Sequence, residues 1–281
     1  MSLYPHLREG TVVVDGVAVR YYDSGERDGG VPVILLHGTG GSAENNFWAI
    51  FPMLAFTRRV IAFDFALPEG DLELEIEHYV AQAQAVIHAV SPGRPVALVG
   101  YSLGAVVAAA TAARAPEDIA TLVLIAGWMR TDRHQLLRNT VWQHLHDENS
   151  QALADFTVYA SYSPMHLLSR TPRDYEEILA KSRQRAYSPR VMRLNRTIDL
   201  TADVVRIGAP TLVIGCTHDQ MVPLKHSREL FGAIENSRYA EIPSGHAVVH
   251  ERPAELFVLI DTFLADPIAS APGAILASEP A

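Results

Sequence analysis

Three residues stand where acyl chemistry would need them, each just after a strand-like run. Ser102 lies in Gly100-Tyr101-Ser102-Leu103-Gly104, between the apolar run Val96 to Val99 and the helical pattern from Leu103 to Arg114. That is the strand–turn–helix setting of a G-x-S-x-G nucleophile elbow, in which the turn thrusts the hydroxyl away from the sheet. Glycines two positions either side let strand and helix pass closely. Asp219 follows the run Pro210 to Gly215, and His246 follows Tyr239 to Ile242. A serine hydroxyl is a weak nucleophile at neutral pH. An imidazole can take its proton, and a carboxylate can fix that imidazole's tautomer and stabilise its cation. The stretch between Asp219 and His246 accommodates a helix (Leu224 to Ala233) and a strand, so both residues can return to one edge of a sheet. A second chemical stretch is His37-Gly38-Thr39-Gly40-Gly41-Ser42, a Gly-rich turn after the apolar run Val31 to Leu36. Such a turn can aim backbone N–H groups into a site that stabilises an oxyanion.

The elements that must position these groups read as an α/β fold. Thr11 to Val14 and Val17 to Tyr22 flank Asp15-Gly16, a hairpin signal. Strands are then expected at Val31 to Leu36, Arg59 to Phe63, Val96 to Val99 and Ile119 to Ala126. Helices are expected at Glu44 to Leu54, Leu72 to Val90 and Leu103 to Arg114 between them. Alternation at this spacing implies a mostly parallel sheet with an antiparallel N-terminal hairpin and helices on both faces. It stops near Trp128, and helical patterns follow at Thr131 to Asp147, Gln151 to Tyr159 and Thr171 to Tyr187. We read 1–127 and 207–265 as the core and 128–206 as an inserted helical cap over the strand ends, where ligands of such sheets bind. Residues 266–281, rich in Ala, Pro and Ser, are expected to form a loose C-terminal tail. Phe47, Trp48, Tyr101, Trp128 and Trp142 are the candidate lining of the substrate pocket.

Composition narrows the partners. The chain has 281 residues, with 32 acidic against 23 basic side chains and a net charge of −9. A nucleic-acid partner is therefore not expected, because phosphate binding needs a basic face. No apolar stretch is long enough to span a membrane, so no membrane partner is expected. The N-terminal Met1-Ser2-Leu3-Tyr4-Pro5-His6 lacks the pattern of a secretory signal, and the single Cys216 cannot form an internal disulfide. A cytoplasmic location, a small-molecule acyl substrate, a monomer or homodimer, no cofactor and no metal are the expectations.

At these residues the sequence resembles the α/β-hydrolase superfamily, in its single-domain, helically capped branch, from Val12 to Ala265. The resemblance rests on His37-Gly38-Thr39-Gly40, Gly100-Tyr101-Ser102-Leu103-Gly104, Ile214-Gly215 through Asp219-Gln220-Met221-Val222-Pro223, and Gly245-His246 through Glu251-Arg252-Pro253. The order serine, acid, histidine is that superfamily's order. The resemblance implies Ser102 as nucleophile, His246 as general base and acid, and Asp219 as its orienter. The oxyanion hole would be the backbone N–H groups of Thr39 and Leu103, with His37 supporting the loop without reacting. The chain departs from relatives after Asp64, where Phe65-Ala66-Leu67-Pro68-Glu69-Gly70 replaces an Arg/Gly-rich loop, so pocket shape does not carry over.

Haloalkane dehalogenases and epoxide hydrolases of that fold place Asp at the elbow, so Ser102 points to attack on an acyl carbon. Cleavage of a small ester, lactone or thioester through an acyl-Ser102 intermediate is the leading reading. The same residues also suit hydrolysis of C–C bonds in diketone-like substrates, biosynthetic acyl transfer or cyclisation, and a receptor-like protein that retains the triad.

Overall fold

The computed structural model describes residues 6–27, 30–185 and 187–277. The first five residues, read above as lacking a secretory signal, lie outside these, as do Asp28 and Gly29 of the Gly-rich loop and the last four residues of the tail. The chain opens with β1 (Arg8–Val14) and β2 (Val17–Asp23), paired antiparallel from Arg8↔Asp23 to Val14↔Val17. Asp15 and Gly16 both take positive φ, 49° and 79°. That is the turn whose twist matches a right-handed hairpin, and the reason Asp-Gly signals one.

The sheet then continues with β3 (Val33–Leu36), β4 (Val60–Phe63), β5 (Val96–Tyr101), β6 (Ile119–Ile125), β7 (Thr211–Cys216), β8 (Ser237–Ile242) and β9 (Ile275–Leu276). Its order is β1-β2-β4-β3-β5-β6-β7-β8-β9, antiparallel as far as the β2–β4 pairing and parallel from there on. Every residue of β3, β4, β5 and β7 is buried. Their near-continuous apolar runs reflect a sheet covered on both faces. Alternate residues serve the two sides. Ile34, Leu36, Leu98 and Leu122 pack with α3 (Ile76–Val90) and α4 (Leu103–Arg114). Val33, Leu35, Val99 and Val123 pack with α1 (Ala43–Phe47), α2 (Ile50–Ala55) and, later in the chain, the helix Pro253–Ala265.

Among the described residues, six helices come between β6 and β7: α5 (Arg133–Asp147), α6 (Ala152–Ser161), α7 (Pro164–Leu168), α8 (Pro172–Gln184), α9 (Pro189–Thr197) and α10 (Thr201–Val204). α5 opens with a reciprocal cap, in which Asp132 accepts from the Gln135 amide at 2.9 Å and Gln135 accepts from the Asp132 amide at 3.1 Å. Thr171 caps α8 in front of Pro172, as the sequence suggests. The last elements are α11 (Lys225–Ala233), α12 (Val248–Glu251) and α13 (Pro253–Ala265).

Three expectations are corrected. The single helix over Glu44 to Leu54 is two, α1 and α2. Pro52 has no N–H to give the Trp48 carbonyl, so the ladder cannot run through that point. The helix expected from Leu72 begins only at Ile76. Arg190 donates to the Pro68 carbonyl at 2.8 Å and to the Leu72 carbonyl at 2.6 and 3.0 Å, holding 68–72 as a loop. The tail is not loose as far as it is described. β9 pairs alongside β8, the Gly273 amide donates to Ser237 O at 2.8 Å, and Arg238 donates to Ser270 O at 2.8 Å. Without it β8 would be an open edge with unsatisfied amides.

Candidate active site

Ser102 sits between β5 and α4 at φ 57°, ψ −120°, a region side-chain-bearing residues rarely adopt. The turn is held by close packing. A Cβ on Gly100 would lie 2.2 Å from Gly104 O, and one on Gly104 would lie 2.1 Å from Leu36 O. Only glycine lets the helix start this near the sheet. The Ser102 amide donates to Ile125 O at 2.9 Å, tying the elbow to β6.

The loops after β7 and β8 meet this turn. The Ser102 hydroxyl lies 2.9 Å from His246 Nε2, and His246 Nδ1 lies 2.7 Å from Asp219 Oδ2. The other carboxylate oxygen of Asp219 accepts from the Met221 and Val222 amides, both at 2.8 Å. All three side chains are buried. Asp219 can only accept, so Nδ1 carries a proton and Nε2 is free to accept from the serine. The Tyr101 hydroxyl donates to His246 O at 2.8 Å, and its ring packs 5.4 Å from the imidazole.

The turn after β3 comes close to the elbow: a Cβ on Gly38 would lie 3.0 Å from the Ser102 Cβ. Leu103 opens α4, so its N–H has no carbonyl within the helix and lies at the positive end of the dipole. Thr39 belongs to the turn after β3, which is braced on several sides. The Gly38 amide donates to Asn46 Oδ1 at 2.9 Å, and Asn195 Nδ2 donates to Thr39 Oγ1 at 2.9 Å. His37 Nδ1 donates to Gly38 O at 2.8 Å, while its Nε2 accepts from the Phe65 amide at 3.0 Å. Both ring nitrogens are thus committed, and burial pushes the His37 pKa below the usual histidine range. His37 ties the turn to the loop after β4 as a neutral ring.

A cavity of about 880 Å³ opens above Ser102, floored by the β3, β5 and β8 loops and walled by α5, α6, α8 and α9. Trp48, Tyr101, Trp128 and Trp142 line it. Phe47 does not, and its candidacy is corrected. It is 1% exposed and packs with Ile50, Phe51 and Leu256 on the far side of the sheet. Neighbouring helical residues point about 100° apart, so Trp48 and Phe47 cannot share a face. Trp48 is half exposed and donates to His250 Nδ1 at 3.1 Å. Burial, with Arg185, Lys181 and His166 nearby, pushes the His250 pKa down to about 4.

Glu251, quoted above within the resemblance but given no role there, is a further member. Its Oε1 accepts from the Ser163 amide at 2.8 Å and the Gly245 amide at 3.1 Å, and its Oε2 from the Ser163 hydroxyl at 2.6 Å. One carboxylate thus joins the start of α7 to the His246 loop. Asn195 gave no sequence signal, being a helical residue with ordinary neighbours. Among the described residues no cluster of histidine, cysteine and acid is arranged to hold a metal, and no helix is long and apolar enough to cross a membrane.

The chain matches known proteins along most of its length. A protein 29% identical over 262 residues, spanning 90% of this chain and 97% of its own, is pyrrolizixenacetamide deacetylase of Xenorhabdus hominickii. Solved structures with the same fold include an enol-lactonase from Burkholderia xenovorans LB400, at 22% identity and TM-score 0.77 over 92% of this chain and 100% of that one. Another is MGS-M2, an alpha/beta hydrolase from a deep-sea metagenome library, at 20% identity and TM-score 0.82 over 92% of this chain and 98% of that one. The model of the alpha/beta hydrolase family matches residues 33–258, which span every loop of the site, and the chain belongs to that family.

Proposed function

We propose that this hydrolase cleaves small esters or amides through an acyl-Ser102 intermediate. The observation that carries the reading is the unbroken chain from the Ser102 hydroxyl through His246 to Asp219 at the foot of the cavity. Ser102 Oγ attacks the carbonyl carbon as its proton passes to His246 Nε2. The oxyanion of the tetrahedral adduct is held by the Thr39 and Leu103 amides. The imidazolium, stabilised by Asp219, returns the proton to the departing alcohol or amine. Water activated by the same imidazole then attacks the acyl-enzyme and frees the acid and Ser102. Residues 128–206 act as the cap that screens these steps from bulk water. The 29% identical relative is a deacetylase of an acetamide by its name, which extends the expected substrates from esters and lactones to amides.

A fluorophosphonate probe and two substrates, p-nitrophenyl acetate and an N-acetyl arylamide, test this. Label should fall on Ser102, at least one substrate should turn over, and Ser102→Ala should abolish both. Labelling elsewhere, or turnover surviving in Ser102→Ala, overturns the assignment.

A further inference from the structure

One wall of the cavity holds hydrogen-bond donors for which the described residues supply no acceptor. Arg138, Asn139 and Trp142 on α5 all line the cavity. Among the described residues, Arg138 Nε, Asn139 Nδ2 and Trp142 Nε1 are buried without a hydrogen-bond partner. The orientation of the Asn139 amide is fixed, because Arg138 Nη2 donates to Asn139 Oδ1 at 2.7 Å. One buried acceptor, Asn195 Oδ1, is also unpaired, on a side chain already tied to Thr39. The excess is therefore of donors, and one of them is a guanidinium.

A second guanidinium enters the same space. Arg185, just past α8, lines the cavity, lies 5.9 Å over the Tyr187 ring and reaches the Tyr187 hydroxyl at 3.5 Å. Its charge is felt at His37 and His250, which places it close to the Ser102 loops. Neither Arg138 nor Arg185 forms an ion pair among the described residues. Other arginines of the fold are engaged: Arg58 with Asp261, Arg59 with Asp23, Arg190 with the loop carbonyls. Arg133, Arg183 and Arg193 are exposed. The acids on the cavity wall, Glu44, Asp174 and Glu177, are exposed, while Asp219 is committed to His246 and two amides.

A guanidinium drawn largely out of water without an ion-pair partner is costly, even with the Asp219 charge in reach of Arg138, and buried donors without acceptors add to that cost. The arrangement makes sense when a ligand brings the missing charge. A carboxylate matches the flat fork of a guanidinium and has lone pairs left for a neighbouring amide and indole N–H. We propose that the substrate is an ester or amide that also carries a carboxylate, received by Arg138, Asn139 and Trp142, with Arg185 adding positive potential. This rests on Ser102 being the nucleophile that meets the scissile carbonyl, and it adds what the rest of the substrate must look like.

The test uses matched pairs: mono-p-nitrophenyl succinate, glutarate and adipate against the corresponding methyl p-nitrophenyl diesters. Wild-type kcat/KM should favour the free acid of at least one length by tenfold or more. In Arg138→Gln that ratio should fall about 10- to 100-fold, the worth of a charge-assisted hydrogen bond away from bulk water. Trp142→Phe, which keeps the packing and removes one donor, and Arg185→Gln should each lower the ratio by a smaller factor. Titration calorimetry of wild-type protein with succinate, glutarate and adipate is read separately and needs no turnover. Binding of one that is lost in Arg138→Gln supports the proposal. A ratio near one at every length with no dicarboxylate binding overturns it and leaves the Ser102 reading standing. Absence of turnover and of Ser102 labelling overturns the Ser102 reading, and the calorimetry then decides the anion site by itself. A preference for the neutral diesters assigns the orphan donors to an uncharged carbonyl-rich substrate and also overturns the proposal.

Discussion

Asp219→Asn is the sharpest perturbation of the site, because the surrounding backbone dictates which way the new amide must face. Oδ1 of Asp219 accepts from the Met221 and Val222 amides, both at 2.8 Å, while Oδ2 faces His246 Nδ1 at 2.7 Å. An asparagine keeps its oxygen toward the two amides. Turning it over would set donors against donors and leave two buried N–H groups unpaired, at about 1–3 kcal/mol each. Its NH₂ must therefore face Nδ1, which has to accept. The imidazole proton moves to Nε2 and points at the Ser102 hydroxyl, where the proposed mechanism needs a base. Loss of the correct tautomer costs about 10⁴ in kcat in a serine triad, or about 5.4 kcal/mol of barrier at 1.36 kcal/mol per decade. Stability should change by less than about 1–2 kcal/mol, since both backbone hydrogen bonds survive. The assay is steady-state hydrolysis of p-nitrophenyl acetate beside urea unfolding of the same preparations. A variant that keeps more than a tenth of wild-type kcat refutes the tautomer argument, and so does one that loses activity only because it has unfolded.

Three further outcomes follow from the packing around the site. Gly104→Ala puts a methyl 2.1 Å from the Leu36 carbonyl oxygen, so helix or strand must move. We expect a loss of about 3 kcal/mol or more in urea unfolding, and a loss under 1 kcal/mol would contradict the close approach. Glu251→Ala strands the Ser163 and Gly245 amides and loosens the His246 loop, so kcat should fall more than tenfold with little change in KM. Glu251→Gln retains an acceptor for both amides and should recover most of the rate, and equal damage in the two variants would make the charge itself essential. The pH dependence of stability follows from His250, whose pKa is pushed to about 4 by burial and nearby cations, and from the similarly lowered His37. Both rings are neutral when folded, and the unfolded chain binds their protons below about pH 6.5. Stability is therefore full above that pH and falls on acidification toward pH 4, each ring adding up to about 1.4 kcal/mol per pH unit. His250→Gln should flatten this slope in pH-dependent urea unfolding, and an unchanged slope would remove His250 from the account.

The sequence by itself determined the sheet (except its last strand), the hairpin, and the loops that follow β3, β5, β7 and β8. These depend on local rules: apolar runs for doubly covered strands, Asp-Gly for a turn with two positive φ values, glycines around a serine held at φ 57°. Trp48, Tyr101, Trp128 and Trp142 line the cavity above Ser102. Phe47 was not separable from Trp48 in sequence, because one helical step decides between cavity and core. The break at Trp48 is a local effect of Pro52, whereas the late start of α3 and the β9 pairing needed the fold. Pro52 leaves the Trp48 carbonyl without a helical partner, Arg190 reaches 68–72 from across the chain, and only the exposed edge of β8 makes a strand of Ile275-Leu276. The partners of Glu251 lie in the turn before it and at the start of α7, and the lack of an ion pair at Arg138 is a property of everything packed around it. Whether an arginine on an amphipathic helix meets water or a substrate depends on burial and on the absence of a counter-charge. Neither quantity belongs to a single residue's position in the chain, so only the tertiary structure could decide it.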